Sequence, residues 1–155
     1  DYVSRKLWTP MHAEESALWS LDRKDGMEKA YCCFNSNARD FARFGQLLLN
    51  NGQWDGQQLI SPAYLAEATS PDTRLVYKDL GKPNHCYGFQ YWILDYKGMK
   101  IPYMRGILGQ YVFTLPEKNA VIVRLGHKRS DTYTADQHYP DDINTWLDAA
   151  MDLLQ

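Results

Sequence analysis

The chain has 155 residues, enough for one domain with a real core, and its 45% apolar and 23% charged residues are ordinary for a globular protein. A formal net charge of −2 gives no electrostatic footprint for nucleic acid or an anionic membrane surface, and no apolar run approaches transmembrane length. The three cysteines, Cys32, Cys33 and Cys86, are an odd count with no zinc-site spacing, so they read as small buried hydrophobes rather than as a disulfide framework or metal ligands.

The first residues, Asp1 to Trp8, read as the last turns of a helix stopped by Thr9-Pro10. Two short apolar runs, Ala17 to Asp22 and Ala30 to Phe34, read as extended and are joined by the charged loop Arg23 to Lys29. The clearest helix begins after Asn37, a good N-cap, with Asp40 at the third helical position as in a capping box. Phe41, Phe44, Gly45 and Leu48 form its apolar stripe, and Asn50-Asn51-Gly52 is its stop. Asp55-Gly56 signals a tight turn between short strands. Ser61-Pro62 then caps a helix over Ala63 to Thr69, and residues 70–86 read as an irregular loop.

From Tyr87 the period becomes two, with Tyr87, Phe89, Tyr91 and Ile93 on one face. A turn at Lys97-Gly98 leads into a strand over Lys100 to Ile107. Strands over Gln110 to Leu115 and Ala120 to Leu125 follow, joined by a turn at Pro116 to Asn119. Links this short force antiparallel pairing. An amphipathic helix, Asp141 to Leu154, closes the chain, with Ile143, Trp146, Leu147, Ala150 and Leu154 on one face and Asp141 and Asp142 at its positive end. The predicted fold is α+β: a mainly helical and loop segment, residues 1–86, then a meander of about four strands covered by a C-terminal helix, residues 87–155.

The chemistry is not announced by a complete motif. The sequence contains no Ser-x-x-Lys, no Gly-x-Ser-x-Gly, no His-Glu-x-x-His and no Gly-rich phosphate loop, so it implies neither a metal nor a cofactor. The histidines, His12, His85, His127 and His138, are scattered. Glu14-Glu15 and the basic run Gly126 to Asp131 read as solvated surface. The anomaly is the stretch Tyr103-Met104-Arg105-Gly106-Ile107, where a cation and a glycine interrupt a buried strand; such a glycine marks a bulge or a close backbone approach.

The series "NARDFARFGQLLLNNGQWDGQQLISPAYL", "YGFQYWI" and "RGILGQYVFTLPEKNAVIVRLG" resembles the C-terminal portion of the serine beta-lactamase-like family, which includes class C beta-lactamases, penicillin-binding-protein-type esterases and nylon-oligomer hydrolases. The resemblance implies a partial beta-lactamase/transpeptidase-like fold and an acyl-enzyme serine hydrolase of esterase, amidase or peptidase type. It also implies a small-molecule or peptide substrate and an extracytoplasmic or periplasmic location. The family's Ser-x-x-Lys and Tyr-x-Asn motifs precede the segment that matches Asp1, so this chain alone is expected to be inactive.

In the family's "[His/Lys]-[Thr/Ser]-Gly" motif Gly106 takes the glycine, Met104 stands at the His/Lys position and Arg105 at the Thr/Ser position. The backbone N–H of Ile107 then falls where the family has one arm of its oxyanion hole. Arg105, with its guanidinium fork, suits a substrate carboxylate and shares a strand face with Tyr103, opposite Met104. Met104 cannot replace a cation, which leaves open a non-catalytic relative that holds a peptide or glycan. Absent N-terminal strands would leave a sheet edge open to self-association or to a second segment.

Overall fold

Four strands close into one antiparallel meander, and the helices of the chain are arranged around it. The computed structural model describes residues 2–78, 81–135 and 138–154. In chain order the elements are β1 (Leu18–Trp19), β2 (Phe34–Asn35), α1 (Ala38–Leu49), β3 (Gln53–Trp54), β4 (Gln57–Gln58), α2 (Pro62–Ala68), β5 (Val76–Tyr77), β6 (Lys82–Pro83), β7 (Trp92–Tyr96), β8 (Met99–Arg105), β9 (Tyr111–Leu115), β10 (Ala120–Arg124) and α3 (Asp142–Leu153). The sheet order is β10-β9-β8-β7, each strand antiparallel to the next. The expected α+β class, the four-stranded meander and the closing helix all hold.

Local chemistry explains most boundaries. Asn37 is extended and its side chain accepts the Asp40 N–H, which starts α1; Asn51 and Gly52 at φ 52° and 82° end it. Asp55-Gly56 and Lys97-Gly98 both place two residues at positive φ, as a type I′ hairpin turn requires. Ser61 accepts the Tyr64 N–H and Pro62 occupies the first position of α2.

Three boundaries differ from the sequence reading. The N-terminal helix is a π-type turn, Ser4–Trp8, whose turns continue past Pro10: Met11 N–H donates to Leu7 O at 2.8 Å, and Met11 is fully buried. The alternating run from Tyr87 is not a strand at its start. Gly88 N–H donates to Tyr91 O, Gln90 sits at φ 63°, and Phe89 N–H donates to Ala68 O. The chain therefore doubles back against the end of α2, and the strand begins at Trp92. The expected strand over Lys100 to Ile107 stops at Arg105, because Gly106 N–H turns inward to Gln110 O at 2.7 Å. Within the region read as loop, Val76–Tyr77 pairs with Lys82–Pro83.

The two faces of the sheet are covered differently. On one, Leu94, Tyr96, Ile101, Tyr103, Phe113 and Leu115 pack on Ile143 and Leu147 of α3. Trp146 and Leu154, expected on that face, are 42% and 37% exposed, and Met151 packs there as well. On the other, α1 lies over β9 and β10. Gly45 makes this possible: a Cβ there would stand 2.5 Å from Val121 Cγ1 and 3.3 Å from Val112 Cγ1. Leu47, absent from the expected stripe, is the most buried leucine of α1.

Asp40 is buried at 0% exposure, a place where an unpaired carboxylate would be costly. It accepts Glu14 N–H (2.8 Å), Glu15 N–H (3.1 Å), Asn37 Nδ2 (2.8 Å) and Arg43 Nη1 (3.0 Å). Burial raises its pKa, but the two backbone donors, Asn37 and the Arg43 charge together outweigh that and hold it below the usual carboxylate value. Asp40 is thus more than the third member of a capping box, because it ties the segment after the first turn onto α1.

Candidate functional site

The end of β8 and the turn after it gather the residues that the sequence singles out. Cross-strand register pairs Tyr103 with Phe113, Met104 with Val112 and Arg105 with Tyr111. Paired residues share a face, so Tyr103 and Arg105 lie on the α3 side and Met104 on the α1 side. Tyr103 is 1% exposed and its ring stacks on Phe113 at 5.4 Å. Burial pushes its phenol well above the ordinary range, so it stays protonated at neutral pH.

Arg105 is half-buried in an aromatic surround. Its guanidinium carbon lies 3.4 Å from the centroid of the Trp92 ring, a close cation–π geometry. Nη1 donates to His138 O at 2.8 Å and lies 3.5 Å from Tyr103 Oη. Around it, Trp92 stacks with His138 at 5.9 Å and contacts Tyr87 edge-on at 4.7 Å, while Tyr77 and Tyr133 meet the His138 ring at 4.7 and 5.2 Å. Burial raises the Tyr87 phenol and the Cys86 thiol, and the Arg105 charge lowers both by less. Cys86 is therefore a neutral buried thiol. Nε and Nη2 of Arg105 donate to no acceptor among the described residues.

Gly106 has a local reason to be glycine. A Cβ there would lie 2.3 Å from Gln110 Oε1 and 2.9 Å from Gln110 Cβ. The space is filled by Gln110, whose Oε1 accepts Leu108 N–H at 3.2 Å and whose Nε2 donates to Gly126 O. The close approach at Gly106 is thus made by Gln110 of the turn itself. Gly109, at φ +84°, leaves its carbonyl to Arg124 Nη1.

Ile107 stands at the crest of this turn, 81% exposed. Its carbonyl accepts Arg129 Nε at 2.9 Å, and its N–H has no acceptor among the described residues. Arg124 Nη2 and Arg129 Nη1 also hold Lys128 O and Ser130 O. The basic run read as a solvated loop therefore fastens the turn. Sequence reasoning missed Gln110, Arg124 and Arg129 as its supports, because strand pattern and charge do not reveal that they reach the carbonyls of Gly126, Gly109 and Ile107, 16, 15 and 22 positions away.

Other candidates fall elsewhere. Glu14 pairs with Arg39 and Arg43, and His12 with Asp55 at 3.1 Å in the open. Among the described residues no group of three or more His, Cys, Asp or Glu could hold a metal, and no helix is long and apolar enough to cross a membrane. Two shallow, open depressions are lined by Trp8, His12 and Glu14, and by Arg124, Arg129 and Trp146. Neither reaches Met104 or Ile107. The Cys32 and Cys33 reading needs correction: the two are bonded to each other, and only Cys86 is a buried free thiol. The pairing joins neighbours in a surface loop, where core burial was expected.

A chain folded as this antiparallel meander with its closing helix is similar, in sequence and in fold, to 6-aminohexanoate-dimer hydrolases. Two relatives make the likeness specific. The 6-aminohexanoate-dimer hydrolase of Paenarthrobacter ureafaciens is 27% identical over 127 residues, 79% of this chain and 32% of that protein. A solved structure from Bacillus anthracis, assigned as a 6-aminohexanoate-dimer hydrolase, superposes with a TM-score of 0.72 and 26% identity over 99% of this chain and 37% of its own. No family model matches the chain. The chain spans about a third of the length of both relatives.

Proposed function

We propose that this chain supplies the oxyanion strand and one pocket wall of a serine hydrolase that works through an acyl-enzyme, of esterase, amidase or peptidase type. The observation that carries the reading is the Ile107 N–H, presented at an exposed turn with no acceptor among the described residues, while Arg129 holds the Ile107 carbonyl and Gln110 the Leu108 N–H. A rigid main-chain donor of that kind stabilises a developing oxyanion whatever its side chain. Arg105, whose Nε and Nη2 meet no acceptor among the described residues, is assigned to a substrate carboxylate or a polar group of a peptide, with Met104 on the other face of the strand. In this reading the nucleophile and its base lie outside these residues, so the chain alone does not turn over substrate.

The relatives' names point to hydrolysis of a 6-aminohexanoate dimer, which makes amide hydrolysis the first activity to test. The test compares this chain with a longer polypeptide carrying it, on p-nitrophenyl acetate, a chromogenic cephalosporin and the 6-aminohexanoate dimer. Turnover is expected from the longer polypeptide alone. A folded longer polypeptide without turnover on any of them overturns the reading. Within an active form, Ile107→Pro removes the donor and is expected to lower kcat by roughly 100-fold or more, while Ile107→Ala leaves it nearly unchanged.

The second reading, a non-catalytic module that holds a peptide or glycan, draws on Met104 and on the rings around Arg105. It predicts binding without turnover. The outer edge of β10, which has only β9 as a ladder partner among the described residues, is where a further segment or a second copy completes the sheet. A strictly monomeric profile in light scattering argues against a second copy there.

A further inference from the structure

The bonded pair Cys32–Cys33 has no part in the chemistry above. Cys33 is exposed and Cys32 half-buried. Cys33 is held at φ 71°, in the left-handed region that residues with a Cβ avoid. Its carbonyl accepts Ser20 N–H at 3.0 Å and Asn35 Nδ2 at 3.2 Å. The Cys32 carbonyl accepts Trp19 Nε1 at 3.0 Å, a donor shared with Lys29 O. The small ring therefore fixes the backbone that ties β2 to β1. The next residue, Phe34, meets Trp8, Trp19, Phe41 and Phe44 ring to ring.

We propose that Cys32–Cys33 is a redox site that exchanges with small thiols, and that its reduction loosens the loop between β1 and β2. The thiolate of a small thiol attacks the exposed Cys33 sulfur, the S–S bond breaks, and Cys32 leaves as a thiolate that takes up a proton. A second small thiol then attacks the mixed disulfide. Cys33 is released as a thiol and the small molecule departs as its own disulfide. Two electrons and two protons pass from the thiols to the protein. With the ring open, Cys33 relaxes to negative φ, its carbonyl turns away, and Ser20 and Asn35 lose their acceptor.

The test uses the 155-residue chain equilibrated in air and in dithiothreitol. Alkylation and peptide mass report the state of the pair, and amide hydrogen exchange reports the loop. In air, the 32–33 peptide is expected unalkylated and lighter by two hydrogens than its reduced form. On reduction both sulfurs alkylate, and exchange at Ser20 and its neighbours rises roughly tenfold while α1 keeps its protection. A C32S/C33S variant shows the faster exchange in air and no response to dithiothreitol. Alkylation of both cysteines without reductant overturns the site. Unchanged exchange on reduction overturns the switch, and loss of protection in α1 as well shows a structural staple instead.

Discussion

The two faces of the sheet solve the same problem in opposite ways. Against α3, large side chains meet: Tyr103, Phe113, Ile143 and Leu147 are each at most 1% exposed and fill the space between layers. Against α1, the helix gives up a side chain at Gly45 and brings its backbone onto Val112 and Val121. A face filled by bulk fails by cavity, and a face closed by a glycine fails by overpacking. Polar groups divide the same way. The α1 side is anchored by the buried Asp40 cluster, whereas α3 is held at its rim by surface bonds, including Lys97 Nζ to Asp148 at 2.7 Å with Tyr96 Oη on the same carboxylate.

The sharpest break of the bulky face is Phe113→Ala, expected to cost about 3–5 kcal/mol in urea unfolding, because the ring is wholly enclosed and its neighbours on a rigid sheet cannot follow. Next is Asp40→Ala, expected to cost about 3 kcal/mol, since it leaves the Glu14 and Glu15 N–H groups without their acceptor and takes one of the two carboxylates from Arg43. Its pH dependence follows from the lowered pKa. The contribution of Asp40 is complete above its ordinary value of 3.8 and is lost as pH falls through the lower folded-state value. The stability gap between the wild type and Asp40→Asn is therefore expected to be constant at neutral pH and to narrow below about pH 4, read from urea midpoints.

On the glycine face, Gly45→Ala gains helix propensity of about 1 kcal/mol but must displace Val121, for a net loss of about 1–2 kcal/mol. A net gain in urea unfolding would show that β10 yields freely. The smallest effect is expected from Trp146→Ala, under about 1 kcal/mol, because the ring sits at the rim beside Arg124 and is 42% exposed.

Much of the fold could be read from local chemistry. The Asn37 cap, the Ser61-Pro62 start and the two hairpin turns at Asp55-Gly56 and Lys97-Gly98 are settled within a few residues, and the short links between strands leave only an antiparallel meander. The candidate site was legible only as a sequence of residues. Strand alternation placed Tyr103 and Arg105 together, but the strand was drawn two residues too long, since the inward turn at Gly106 depends on Gln110.

What tertiary structure alone decided was which group meets which across long separations. Asp40 receives Glu14 and Glu15 from more than twenty positions away, Arg129 reaches Ile107, and Arg105 reaches the His138 carbonyl. Tyr87 to Tyr91 alternates like a strand yet turns back, because Ala68 at the end of α2 offers its carbonyl to Phe89. Periodicity records only which residues prefer burial. The sequence by itself determined helices α1, α2 and α3, the turns at Asp55-Gly56 and Lys97-Gly98 and the strand order of the meander, whose hydrogen bonds close over short stretches of chain. The buried carboxylate, the bonded cysteine pair and the supports of the Ile107 turn depend on donors and acceptors that only the folded chain brings within reach.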